Sequence, residues 1–158
     1  EKALQAVMPM NAVIIRTSWM YSEYGNNFIK TILKLAKQRE EINVVSDQIG
    51  SPTSATDLAK IILDIIQNKE FNNTSQKTQI YHYSSKGECS WYDFAREIVK
   101  LSDVKCTIKP IKTDQYPTLA LRPKSVLMDK DKIIQAFCIK NLDWKKSLRI
   151  CIKILKQQ

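Results

Sequence analysis

Arg16-Thr17-Ser18-Trp19-Met20-Tyr21 follows directly on the apolar run Ala12-Val13-Ile14-Ile15. Open α/β sheets bind ligands just outside the carboxyl ends of their strands, so polar groups emerging there are positioned to touch one. Arg16 and Trp19 offer a fixed charge and a flat apolar face; a core Trp and a surface-paired Arg fit this segment equally well. Gly25-Asn26-Asn27-Phe28 runs into a helical pattern. Free N–H groups at a helix start suit an anion such as a pyrophosphate, although an ordinary Asn cap is the simpler reading of this block alone. Asp47-Gln48-Ile49-Gly50-Ser51-Pro52-Thr53 also leads toward a helix. Gly50 permits a tight turn, Pro52 stiffens it, and Gln48 and Thr53 supply donors and acceptors; a purely structural turn is the alternative. Tyr116-Pro117-Thr118-Leu119-Ala120-Leu121-Arg122-Pro123 is a proline-stiffened loop whose Arg122 could fork onto a phosphate or simply sit at the surface.

Other chemistries find no foothold. His82 is the only histidine, with no second histidine and no Ser or Cys nucleophile motif near it, so a catalytic or metal role is not expected. Cys89, Cys106, Cys138 and Cys151 form no C-x-x-C pair, which argues against zinc ribbons and thioredoxin-like sites and for reduced thiols. No GxGxxG, GxxGxxG, GxxxxGK[ST] or HExxH occurs in the chain.

The elements that must position these groups alternate between strand and helix. Asn11 to Arg16 reads as a strand buried on both faces of a parallel sheet, and Ile42 to Val45 as a second short strand. Phe28, Ile29, Ile32, Leu33, Leu35 and Ala36 recur at helical spacing over Asn27 to Gln38, with Asn26 or Asn27 as cap. Ser54 and Asp57 resemble a capping box that opens a helix burying Leu58, Ile61, Ile62, Ile65 and Ile66. Asn72 to Gln79 is a surface loop, and Ile80 to Tyr83 alternates like a strand. Ser90 and Asp93 repeat the box before a helix burying Trp91, Phe94, Ala95, Ile98 and Leu101. Thr107 to Ile111 is an edge strand interrupted by Pro110, Lys112 to Lys124 an extended loop, and Asp129 to Phe137 and Asp143 to Lys156 are helices. This order predicts an α/β protein.

The chain has 158 residues, 44% of them hydrophobic, with only 3 Gly. That is one domain-sized unit without disorder or collagen-like repeats, long enough to bury roughly 70% of its unfolded surface. No apolar run approaches the ~18 residues of a membrane span, and Glu1 to Val7 lacks the layout of a signal peptide, so a soluble, cytoplasmic protein is expected. Against 16 acidic residues stand 25 Lys and Arg, a net charge of +9. The charge suits a polyanion, but the lysines are spread along the chain, and a nucleotide's phosphates or solubility account for it as well as nucleic acid does. The stripe Lys145, Arg149, Lys153, Lys156 reads as a solvated helix face opposite Leu148, Cys151, Ile152 and Leu155.

Taken in order, the blocks resemble the C-terminal half of the dTDP-4-dehydrorhamnose reductase family of extended short-chain dehydrogenases/reductases. The matching residues are Arg16-Thr17-Ser18-Trp19 with Tyr21, Gly25 to Phe28, Asp47 to Thr53, Asp57-Leu58-Ala59, Tyr81-His82-Tyr83-Ser84 with Gly87-Glu88, Ser90 to Ala95, Tyr116-Pro117-Thr118 and Arg122-Pro123. The resemblance implies a Rossmann-like NAD(P)-binding fold, of which residues 1–158 would be mainly the small substrate-binding domain plus the last sheet strands. Asn11 to Arg16 and Ile80 to Tyr83 would belong to the large sheet and Ile42 to Val45 to the smaller half. The family's dinucleotide loop and its Tyr-x-x-x-Lys proton-transfer pair are absent from the sequence. Glu1 to Val7 resembles the residues that follow that pair, so the chain is expected to begin just past it.

By the same resemblance the intact enzyme would pass a hydride from NADPH, with NADH as the alternative, to C4 of dTDP-4-dehydro-L-rhamnose in dTDP-rhamnose and cell-surface polysaccharide biosynthesis. Trp19 would lie beside the keto sugar and Thr17 and Ser18 near the nicotinamide. Asn26, Asn27, Gln48, Pro52 and Thr53 would line the nucleotide cleft, and Arg122 would pair with the diphosphate. Arg122-Pro123-Lys124-Ser125 is one residue shorter than the family's spacing. No catalytic or metal-ligating residue of this chain is assigned, although Mg2+ is a candidate ion. Neither nucleic acid nor membrane is expected as a partner, and a homodimer or other self-association is. The alternative function is that of a non-catalytic relative, such as the regulatory subunit of methionine adenosyltransferase, acting by binding a partner.

Overall fold

The computed structural model describes residues 1–68, 77–118 and 120–157. In chain order the elements are α1 (Lys2–Val7), β1 (Val13–Arg16), β2 (Met20–Tyr21), α2 (Phe28–Ala36), β3 (Glu41–Val45), β4 (Ile49–Gly50), β5 (Thr53–Ser54) and α3 (Ala55–Gln67). There follow β6 (Gln79–His82), β7 (Cys89–Ser90), α4 (Trp91–Ser102), β8 (Thr107–Ile111), a 3-10 turn (Thr113–Gln115), α5 (Asp131–Phe137) and α6 (Trp144–Leu155). The expected α/β alternation is present. Helix α1 had no separate signal in the sequence. Of the expected surface loop, residues 72–76 lie outside the described residues, as does Leu119 of the Arg122 loop.

Four two-stranded ladders hold the chain together among the described residues. β1 and β6 pair in parallel from Val13 with Gln79 to Arg16 with His82, and β3 and β8 in parallel from Glu41 with Thr107 to Val45 with Ile111. β2 pairs in parallel with β5, and β4 antiparallel with β7. Pro110 lies opposite Val44 on a ladder with a single partner strand, where its missing N–H costs no second neighbour.

Two hydrophobic clusters follow from these pairings. The larger joins β3 and β8 to α2, α4 and α6 through Ile29, Ile32, Ile42, Val44, Phe94, Ile98, Leu148 and Cys151. The second gathers Ile61 and Ile65 of α3, Tyr81 and Tyr83, and Ile133, Phe137 and Ile139. Asp57 and Ser147 bridge the two: the Ser147 hydroxyl donates to the Asp57 carboxylate, and both residues are buried.

Helix boundaries obey local chemistry. Asn27, not Asn26, caps α2 by accepting from the N–H groups of Ile29 and Lys30 at 3.1 and 3.4 Å. Ser90 and Asp93 form a full capping box: Asp93 N donates to Ser90 Oγ at 3.0 Å, and Ser90 N to Asp93 Oδ2 at 3.1 Å. At α3 only half of the expected box exists. Ser54 Oγ accepts from Asp57 N, but the Asp57 carboxylate turns to Ser147, a buried donor on another helix. Ile62 and Ile66, expected in the core, are 39% and 48% exposed, because the β1–β6 ladder covers the face carrying Ile61 and Ile65. The expected double-sided burial of β1 is also not met: Val13 to Ile15 are half-buried and Arg16 is exposed, since among the described residues only the face carrying Val13 and Ile15 packs on a hydrophobic cluster. Trp91 and Leu101 pack on the core only partly, and Val99 is buried in their stead. The basic face of α6 points outward as expected, with Leu148, Cys151 and Ile152 buried behind it.

Candidate functional site

Parallel pairing of Arg16 with His82 brings the carboxyl ends of β1 and β6 side by side. Thr17 and Ser18 leave one strand there, and Tyr83, Ser84 and Ser85 leave the other. The Oγ atoms of Thr17, Ser84 and Ser85 are buried without a hydrogen-bond partner, and so is Oδ1 of Asn141. Asn141 Nδ2 donates to Ser84 O and Lys130 Nζ to Ser85 O, each at 3.2 Å. Burial lowers the affinity of the Lys130 amine for its proton. A buried polar atom left unpaired costs about 1–3 kcal/mol, so these groups keep hydrogen-bonding capacity at this end of the ladder. Ser84, Ser85, Lys130 and Asn141 lie outside the site residues expected from the sequence. The strand-end rule applied to β6 would have found the serines, whereas nothing in the sequence marks Lys130 or Asn141.

Arg16, the last residue of β1, spends its side chain on Glu1 and His82. Its Nε and Nη2 contact Glu1 at 2.8 and 2.5 Å, and Nη1 lies 3.2 Å from His82 Nε2. The hydrogen bond from Arg16 holds the Glu1 carboxyl below the usual range. Arg16 is thus a surface pair.

Trp19 stands next along the chain. Its backbone takes the left-handed conformation, φ 47°, which a bulky L-residue adopts only when its surroundings hold it. Thr53 N donates to Trp19 O at 3.1 Å, and the indole stacks on Trp91 with ring centroids 3.6 Å apart and planes 13° from parallel. Trp91 is backed by Phe28 at 4.5 Å, next to the Asn27 cap. Gly50 lies against Trp19 so closely that a Cβ there would come within 2.5 Å of the indole.

The Arg122 strap closes this group. Ile49 N donates to Lys124 O at 2.8 Å and Val126 N to Ile49 O at 3.0 Å, so the shortened Arg122 to Ser125 segment is held along β4. Arg122 is exposed and has no side-chain partner among the described residues.

The structure thus gathers Trp19, Gly50, Pro52, Thr53 and the Arg122 strap, with Asn27 reaching them through Phe28 and Trp91. Several of these residues are structurally committed. Pro52 and Thr53 are fully buried. Gln48 is buried and donates to Thr113 Oγ1 at 3.2 Å. Asn27 spends its oxygen on the α2 cap and its amide on Ser22 O and Tyr24 O. Asn26 is exposed.

A cavity of about 800 Å³ beside α4, β8 and the start of α6 contains none of the residues expected at the site; Glu88, Asp93, Arg96, Glu97, Lys100 and Lys145 give its walls both signs of charge. Among the described residues no group of three or more His, Cys, Asp or Glu is placed to hold a metal, and Mg2+ gains no support from the structure. No helix among them is long and apolar enough to cross a membrane.

Comparison with known proteins finds relatives along nearly the whole chain. The dTDP-4-dehydrorhamnose reductase of Aggregatibacter actinomycetemcomitans is 41% identical over 155 residues, covering 94% of this chain and 52% of that protein. A crystal structure of a dTDP-4-dehydrorhamnose reductase from Clostridium acetobutylicum superimposes with a TM-score of 0.81 at 38% identity, over 91% of this chain and 49% of that one. The Bacillus anthracis dTDP-4-dehydrorhamnose reductase in complex with NADP gives a TM-score of 0.77 at 37% identity, over 90% and 48%. The chain therefore spans about half the length of the relatives it matches, and the partner-binding alternative gains no support from them. The RmlD substrate binding domain pattern runs through residues 1–157, and the chain belongs to that family.

Proposed function

We propose that this chain is the sugar-nucleotide-binding portion of a dTDP-4-dehydrorhamnose reductase. The observation that carries the reading is the grouping of Trp19 with Gly50 and with the Arg122 strap along β4, in a chain whose relatives are named for that substrate. Trp19 lies beside the sugar, and Asn26, Asn27, Gln48, Pro52 and Thr53 shape the nucleotide side. Gln48, Pro52, Thr53 and Asn27 act there through the backbone they hold, since their side chains are engaged or buried. Arg122, exposed and unpaired among the described residues, is free to clamp the diphosphate with its fork of donors.

The unpaired hydroxyls at the ends of β1 and β6 fit the polar end of a nicotinamide, with Thr17 and Ser18 as its neighbours. When bound, NADPH supplies the hydride that reduces C4 of the 4-keto sugar. NADPH is preferred to NADH in this reading because a relative binds NADP. Proton donation belongs to the family's Tyr-x-x-x-Lys pair, which this sequence does not contain. This chain's own share is to bind and orient the substrate.

Self-association belongs to the same reading. Val13 and Ile15 present an open strand edge among the described residues, and Val7, Met8 and Met10 are exposed nearby in sequence. A cytoplasmic location accords with four free thiols.

Calorimetry of the 158-residue chain with dTDP and with dTDP-L-rhamnose tests the proposal. Both should bind, the sugar nucleotide more tightly, and the chain alone should oxidise no NADPH. Arg122→Lys should weaken both ligands equally, by about 1–3 kcal/mol. Absence of dTDP binding would refute the reading, and sedimentation as a monomer at all concentrations would refute the self-association.

A further inference from the structure

Trp19 sits in a sandwich. Trp91 covers one indole face at 3.6 Å with nearly parallel planes, a spacing that leaves no room for a third group between them. Gly50 approaches the same indole so closely that a Cβ would meet its Cε2, Cζ2 and Cδ2 carbons at 2.5 to 2.9 Å, and it must therefore cover the opposite face. Phe28 braces the far side of Trp91, tilted by 50°. The main chain is pinned as well, by the bond from Thr53 N and by a left-handed φ that only the surrounding packing can sustain.

With both faces covered, stacking on a ligand ring is closed to Trp19, and only the indole edge remains. That edge carries a donor. Nε1 has no hydrogen-bond partner among the described residues and is not among the buried unpaired atoms, so it reaches solvent.

We propose that Trp91 and Gly50 are positioning residues that turn Trp19 edge-on, so that its indole N–H, and not its ring face, meets an oxygen of the ligand's sugar. The inference rests on the reading of Trp19 as a sugar neighbour and adds how it recognises one: as a fixed hydrogen-bond donor to a hydroxyl or keto oxygen of a hexose. Gly50 is required because any side chain there would expel the indole, and Trp91 because a single covered face would let the indole swing flat.

The test compares dTDP with dTDP-L-rhamnose on the 158-residue chain by calorimetry; the quantity read is the gain in affinity due to the sugar. Trp19→Phe keeps a ring and deletes the N–H, and should reduce that gain about three- to tenfold while leaving dTDP affinity unchanged, the scale of one hydrogen bond between neutral groups. Trp91→Ala and Gly50→Ala should lose the gain to a similar extent, and Trp91→Phe, which keeps a stacking ring without its own N–H, should restore it. Cooperative thermal unfolding is checked for each variant; if Trp91→Ala does not fold, Trp19→Phe and Trp91→Phe carry the comparison. An undiminished gain in Trp19→Phe overturns the inference alone. So does a Trp91→Phe variant as impaired as Trp91→Ala, which would make Trp91 itself the donor, and so does a parallel loss of dTDP and dTDP-L-rhamnose affinity. A wild-type chain that binds dTDP-L-rhamnose no better than dTDP overturns the sugar site and this inference with it.

Discussion

Replacing Ser147 by Ala should reveal how strongly the two hydrophobic clusters are tied together. Asp57, on the α3 face that also carries Ile61 and Ile65, is only 7% exposed, and its carboxylate accepts the hydroxyl of Ser147, itself 3% exposed on α6. A hydrogen bond to a charged group contributes about 1.5–3 kcal/mol, and its loss here leaves a largely buried carboxylate without its hydroxyl donor. The position of Asp57 in the first turn of α3 lets the helix N–H groups offset part of that cost. A net loss of about 2 kcal/mol is therefore expected for Ser147→Ala. At about 2–4 °C per kcal/mol for a chain of this length, thermal unfolding should move down by about 4–8 °C. Asp57→Asn keeps an acceptor opposite Ser147 and should cost less than Ser147→Ala. A double-mutant cycle with Asp57→Ala and Ser147→Ala should return a coupling of about 1–3 kcal/mol from urea unfolding at neutral pH. Ser147→Ala within about 0.5 kcal/mol of wild type, the range of an ordinary surface substitution, would refute the reasoning.

Ser90→Ala removes both the acceptor for Asp93 N and one donor to the Asp93 carboxylate, and should destabilise the chain by about 1 kcal/mol in urea unfolding. Hydrogen bonds from the Thr113 side chain and N–H hold the Asp47 carboxyl below its ordinary 3.8. Since the folded-state value is the lower one, the stability this contact contributes is present at neutral pH and fades as pH falls from about 4 through the folded-state value. Thr113→Ala should accordingly cost more at pH 7 than at pH 3, and an equal cost at both would exclude the contact as its cause. Burial pushes the Cys89 thiol up to about 12 and the Cys151 thiol up to about 11, so neither offers thiolate at neutral pH. Alkylation of the native chain, followed by peptide mass, should mark exposed Cys138 first and Cys89 and Cys151 only after unfolding.

Much of the local architecture is legible in the order of side chains. The Asn27 and Ser90 caps, the helical spacing of Ile29 and Ile32 or of Phe94 and Ile98, and the basic stripe of α6 depend on neighbours within one or two turns. The blocks around Trp19, Gly50 and Arg122 were also readable, because each is a short run of types that turn and phosphate chemistry require. The identities of the partners could not be read. Asp57 had a capping role within reach three residues back, yet its carboxylate went to Ser147, 90 residues away, because only the packing of α6 on β5 brings a buried donor to it. Ile62 and Ile66 fit the helical period as well as Ile61 and Ile65, and which pair lies inside was decided by the side on which the β1–β6 ladder packs. Trp19 offered a flat face by residue type alone; Trp91 and Gly50, remote in sequence, covered both sides and left the edge. Short-range periodicity and capping are set by bonds along one segment, whereas strand pairing and ring stacking join segments whose separation no local pattern encodes, so the elements could be read from the sequence and the site's geometry required the tertiary structure.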